Sequence, residues 1–132
     1  MNITPPELPA NLGIRGVGID IEDVDRIRKA VETHGTRFVN RILTQAEQDA
    51  CLGRDDWPQR IAARWCAKEA VAKALGGGMN WTDVEILNHA SGQPYVTLYG
   101  RAAPLAGTGT VHISLTHTAT QAAAIAIFVD GR

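Results

Sequence analysis

The sequence predicts an α+β protein in which an antiparallel sheet packs against one long helix. Three observations carry that prediction. After one early strand, apolar residues recur at helical spacing as far as residue 75. Alternating or wholly apolar runs then occupy residues 81 to 129, and the triplet Gly76-Gly77-Gly78 divides the two textures. At 132 residues, 45% of them apolar, the chain can fill one core. The expected organisation is an irregular arm over 1–12, with Pro5, Pro6 and Pro9, followed by a single domain over 13–132.

The elements follow in order. "GIRGVGIDI" (13–21) reads as a strand. Val17, Ile19 and Ile21 share one face, and Gly16, Gly18 and Asp20 share the other. A glycine face lets a neighbour pack close to the backbone. "EDVDRIRKAVETHG" (22–35) has Val24, Ile27 and Val31 at helical spacing and a stop at Gly35. "TRFVNRIL" (36–43) reads as a short helical turn, and Thr44 with Glu47 makes a capping-box pattern for the next. The longest helix is expected from near Pro58 to the three glycines. "WTDVEILNH" and "PYVTLYG" read as strands joined by the turn "ASGQ". Pro104, Gly107 and Gly109 leave room only for a short helix before "TVHISLTH" (110–117) and "QAAAIAIFV" (121–129), an antiparallel pair. The last run is apolar on both faces, which places it centrally in its sheet.

Composition excludes several classes. A formal charge of −1 argues against a general nucleic-acid binder. Cys51 and Cys66 lack CxxC spacing, which argues against a zinc site or a disulfide framework and for a reducing compartment. No apolar run approaches the ~20 residues of a membrane span, and the N-terminus lacks a signal-peptide layout. A soluble, cytoplasmic protein is expected. Neither a Ser-His-Asp order nor GxSxG is present, and "GVGID" is not a GxGxxG fingerprint.

Two carboxylates stand out. Glu69 shares a helical stripe with Ala62, Trp65 and Ala72, and an unpaired carboxylate there costs about several kcal/mol. An ion pair with Lys73, four residues on, is one answer. Asp20 falls where the first strand is expected to end, and an N-cap role with Asp23 in the first turn is one answer there. A second answer joins them: the two acids can share a Mg²⁺ whose other positions are filled by water and phosphate oxygens. Arg64, Lys68 and Lys73 on the same helix can hold a phosphorylated ligand or form a solvated cationic face, and the solvated reading is favoured for Lys68. Gly76 can admit a ligand or simply stop the helix, and His117 can bind phosphate, move a proton or be structural.

Taken together, "GVGIDIEDVDRI" (16–27), "RFVNRILTQAE" (37–47), "RIAARWCAKEAVAKALGGG" (60–78), "WTDVEI…GQPYVTL" (81–98) and "VHISLTH" (111–117) resemble, in order, the holo-[acyl-carrier-protein] synthase family. The resemblance implies the 4′-phosphopantetheinyl transferase fold and a homotrimer with active sites between subunits. It implies Mg²⁺-dependent transfer of phosphopantetheine from coenzyme A to a serine of apo-acyl carrier protein, releasing adenosine 3′,5′-bisphosphate. It places Asp20 and Glu69 on the metal, Asp20, Glu69 and Lys73 in catalysis, and Arg64, Lys73, Gly76 and His117 at coenzyme A. It places Arg26, Arg37 and Arg41 on the face toward an acidic carrier protein. The general base stays open among Glu69, Asp20 and a metal-bound water. The family's basic residues ahead of the long helix are replaced by Asp55, Asp56, Trp57 and Pro58, so that Arg54 or Arg60 is left to hold the 3′-phosphate. Two alternatives keep the same residues: another Mg²⁺-dependent enzyme cleaving a phosphoanhydride, and a non-catalytic trimer that binds coenzyme A or a carrier protein.

Overall fold

The structure is a computed structural model that describes residues 13–131. The arm expected over 1–12 lies outside the described residues. The element order is β1 (Ile14–Asp23), α1 (Val24–His34), α2 (Thr36–Ile42), α3 (Gln45–Cys51), α4 (Trp57–Leu75), β2 (Val84–Asn88), β3 (Pro94–Leu98), α5 (Ala102–Ala106), β4 (Thr110–His117) and β5 (Gln121–Val129). The α+β class holds, with one refinement. The strands form two antiparallel sheets, β1-β5-β4 and β2-β3, rather than one. Strand β5, apolar on both faces after Gln121, is central in the first sheet, as its composition predicts.

Helix α4 packs across β1 and β5, and α1, α3 and β2 cover its other sides. Burial nearly all round explains why this helix carries no clean polar stripe. Pro58 sits in its first turn, and it ends at Gly76, whose backbone is left-handed at φ 70° and ψ 25°. Small residues line the contact with the sheet. Ala63, Ala67, Ala70 and Ala74 on α4 are buried, as are Ala122, Ala124 and Ala126 on β5. On β1 even a methyl group is too large. A Cβ at Gly16 would lie 1.9 Å from the Ala74 carbonyl oxygen, and one at Gly18 would lie 1.9 Å from that of Ala70.

The opposite face of β1 is bare. Val17, Ile19 and Ile21 are 57%, 66% and 67% exposed, and Ile125, opposite Ile19 in the ladder with β5, is also exposed. The strand runs two residues further than the sequence suggests, through Glu22 and Asp23, because the ladder continues to Asp23 opposite Gln121. Asp20 is therefore not an N-cap. That position belongs to Asp23, whose carboxylate accepts a hydrogen bond from the Gln121 side chain instead of capping α1.

The capping box at Thr44 and Glu47 forms as expected, and it does more than start α3. Glu47 Oε1 accepts from the Thr44 N–H at 2.9 Å and from Lys68 Nζ at 2.6 Å, and Oε2 accepts from the Ile86 N–H at 2.9 Å. Lys68 also donates to the carbonyls of Ile42 at 2.6 Å and Trp81 at 3.0 Å. The two side chains are 2% and 0% exposed, so the solvated reading of Lys68 is wrong. One buried ion pair ties α2, α3, α4 and β2 together, with its polar atoms well partnered.

Candidate active site

Asp20 lies on the glycine face of β1, two residues after Gly18, and that face is pressed onto α4. The close approach brings Asp20 beside Glu69 and Lys73. Lys73 does not pair with Glu69, the partner that helical spacing suggests. Its Nζ donates to the Ile19 carbonyl at 2.9 Å and reaches Asp20 Oδ1 at 3.5 Å. The strand backbone is near enough to win the ammonium from its own helix. Glu69 is left half-buried and, among the described residues, makes no hydrogen bond or salt bridge. Burial and the neighbouring Asp20 carboxylate raise the proton affinity of Glu69 above its ordinary value, while Lys73 pulls the other way.

Cys66, one turn before Glu69, lies under this pair and donates its S–H to the Ala122 carbonyl at 3.4 Å. Burial and Asp20 push its thiol up to about 12, so it stays protonated and is no nucleophile. Cys51 is also free and buried. Among the described residues no group of three or more His, Cys, Asp and Glu side chains is arranged to hold a metal. A two-carboxylate Mg²⁺ site needs no such group.

A second concentration of charge lies nearer the start of α4. A hollow of about 230 Å³ is lined by Arg60, Arg64, Asp56 and His117, with Asn88 and Pro94 from the β2–β3 hairpin. Arg64 is 6% exposed, and its guanidinium donates to the Ile86 carbonyl at 3.1 Å and to Asn88 Oδ1 at 3.3 Å. Arg60 pairs with Asp56 at 2.8 Å. Arg54 does not reach this hollow; it donates to the Ala50 carbonyl at 3.0 Å. Of the two arginines that sequence left open, Arg60 is the one present.

The predicted site residues thus fall into three places. Asp20, Glu69 and Lys73 come together. Arg64 and His117 share the hollow, roughly 7 Å or more from Glu69 along the axis at 1.5 Å per residue. Gly76 caps the end of α4 in the left-handed conformation that a helix stop uses, with open space where a side chain would begin. Arg37 and Arg41, one turn apart on α2, line a shallow groove with His34 and Phe38. Arg26 is on α1, in a different groove, and contacts Glu22 at 3.6 Å. Sequence reasoning missed the hollow's Asp56 and Asn88 as neighbours of Arg60 and Arg64. Only Asp56 had a local signal, its place four residues before Arg60.

This fold, with its paired acids and its cationic hollow, defines the class. The model of the 4′-phosphopantetheinyl transferase superfamily matches residues 16–127. The chain belongs to that superfamily and, within it, to the holo-[acyl-carrier-protein] synthase family. It is 47% identical over 122 residues to the holo-[acyl-carrier-protein] synthase of Desulforudis audaxviator, covering 88% of this chain and 93% of that one. It is 41% identical over 117 residues to that of Protochlamydia amoebophila, covering 86% and 96%. Among solved structures, a Bacillus anthracis holo-(acyl-carrier-protein) synthase in complex with CoA (3′,5′-ADP) superposes with a TM-score of 0.76 at 30% identity, covering 89% of this chain and 98% of that one.

Proposed function

We propose that this chain transfers 4′-phosphopantetheine from coenzyme A to a serine hydroxyl of an apo-acyl carrier protein. A serine Oγ–phosphorus bond forms, the phosphoanhydride bond breaks, and 3′,5′-ADP leaves while the serine proton is released. The observation that carries this reading is Asp20 and Glu69 brought together across β1 and α4, in a chain of this family. The same residues fit a hard cation. They are two carboxylates on rigid elements, one without a hydrogen-bond partner among the described residues, and the thiol beneath them, Cys66, is protonated and donates to the Ala122 carbonyl. Asp20 and Glu69 would hold Mg²⁺, which when bound neutralises charge on the pyrophosphate and on the departing phosphate.

The chain's own groups do the rest. Lys73, anchored on the Ile19 carbonyl, fixes the Asp20 carboxylate and offers positive charge to phosphate oxygens. Arg64, fixed by Ile86 and Asn88, uses two of its donors and keeps others for a ligand phosphate. His117 adds an imidazole to that hollow. Arg37 and Arg41, exposed and without an ion pair among the described residues, form the face offered to an acidic carrier protein, with Arg26 as an outlying contact. The bare Val17, Ile19, Ile21 and Ile125 face is the surface through which the protein assembles as a homotrimer. No helix among the described residues is long and apolar enough to cross a membrane, and two free buried cysteines suit the cytoplasm.

The test mixes the protein with coenzyme A, Mg²⁺ and an apo-carrier protein and weighs the carrier. A gain of one phosphopantetheine, lost when EDTA is added, is the expected result. Release of nucleotide or phosphate with no such gain would point to a different phosphoanhydride-cleaving activity.

A further inference from the structure

The hollow at the start of α4 holds three cationic or ionisable groups, Arg60, Arg64 and His117, and one carboxylate, Asp56. Asp56 stands at the N-cap of α4, where an aspartate ordinarily accepts from helix N–H groups. It makes no such bond. Its carboxylate accepts instead from Arg60 Nε at 2.8 Å, and both residues line the hollow. Its acidity is strengthened by Arg60 first and by His117 among the lesser causes, so Asp56 faces both. The pair is half-exposed, and so is free to rearrange when an anion enters. Arg60 precedes Glu69 by nine residues, about 13 Å along the helix axis. That separation suits the nucleotide end of the cosubstrate, not a further contact to the pyrophosphate beside Glu69.

We propose that Asp56 is a specificity-determining residue: it is an internal counter-anion for Arg60, which a ribose phosphate monoester must displace on entering the hollow. The chain therefore gains less from that phosphate than Arg60, Arg64 and His117 alone would give. It discriminates only weakly between coenzyme A and the same molecule without its 3′-phosphate. The inference rests on coenzyme A being the cosubstrate.

Calorimetric titration of the full chain with coenzyme A and with 3′-dephospho-coenzyme A tests it, on the wild type, Asp56→Asn and Arg60→Gln. Asparagine keeps the size of the side chain and its capacity to cap the helix. The preference for coenzyme A over the dephospho form should rise about 3- to 10-fold in Asp56→Asn, the scale of one charge-assisted contact at a half-exposed site, and should fall in Arg60→Gln. A preference that stays level or drops in Asp56→Asn overturns the role of Asp56 while leaving the transferase reading intact. Binding of neither compound by the wild type, with Mg²⁺ present, overturns the cosubstrate reading and this inference with it.

Discussion

Lys68 and Glu69 are neighbours on α4, yet they live under opposite electrostatic rules. Lys68 points into the core and finds Glu47 and two carbonyls. Burial lowers its proton affinity and Glu47 restores part of it, in a network with no polar atom to spare. Glu69 points to the seam with β1 and finds a second acid. One charge is neutralised by the fold itself. The other is left unbalanced by the fold, in the condition expected of a residue that completes its environment only with a ligand. Burial alone does not separate a structural charge from a functional one; completeness of partners does.

Breaking the satisfied side should cost most. Glu47→Ala removes the α3 cap and an anchor of β2, and it strands Lys68 in the core. A loss of about 3–5 kcal/mol is expected in urea unfolding, the scale of a broken buried pair. A loss below 1 kcal/mol would mean that water reaches Lys68. Next comes the seam that creates the unbalanced side. Gly18→Ala forces a methyl against the Ala70 carbonyl and should destabilise by about 1–3 kcal/mol. It should also abolish transfer, because Asp20 is carried on the displaced strand. Full activity in a folded Gly18→Ala protein would show that the seam does not set the site.

Glu69→Gln sharpens the comparison by reversing its sign. Transfer should fall by about 100-fold or more, whereas the ligand-free protein should become slightly more stable, by a few tenths to about 1 kcal/mol after allowance for solvent screening. The pH dependence follows from the same cause. The folded state raises the pKa of Glu69, so it binds this proton more tightly than the unfolded chain does. Stability without ligand should therefore decline as pH rises from the ordinary glutamate range through the raised value. Melting curves of wild type and Glu69→Gln should show that slope in the first and lose it in the second. Smallest is Arg37→Glu. On the exposed carrier face it should slow association with carrier protein, an effect that shrinks as salt increases, and leave coenzyme A affinity near that of the wild type. Equal association rates would move the docking face elsewhere.

The sequence made much of this legible. The two faces of β1 follow from alternation, the span of α4 from Pro58 and Gly76, and the central place of β5 from its apolarity on both sides. The Thr44–Glu47 box was readable because its bonds are local. The partners of Lys68 and Lys73 were not. Helical spacing offers Lys73 the nearby Glu69 and offers Lys68 no acid at all, but the two bond to groups 13 to 54 residues away. The end of β1 was misplaced for a like reason, since its last rungs are supplied by β5 from the far end of the chain.

Gly16 and Gly18 leave the strand and the helix touching main chain to main chain. The spacing of the two backbones that carry the acids is thus set by bond lengths and carbonyl radii, and only the torsions of the Asp20 and Glu69 side chains are left to adjust the distance between the carboxylates. The joint itself has no graded adjustment. Variation at either glycine opens it by a whole methyl or not at all, and a lineage seeking a slightly wider gap would have to rebuild the helix.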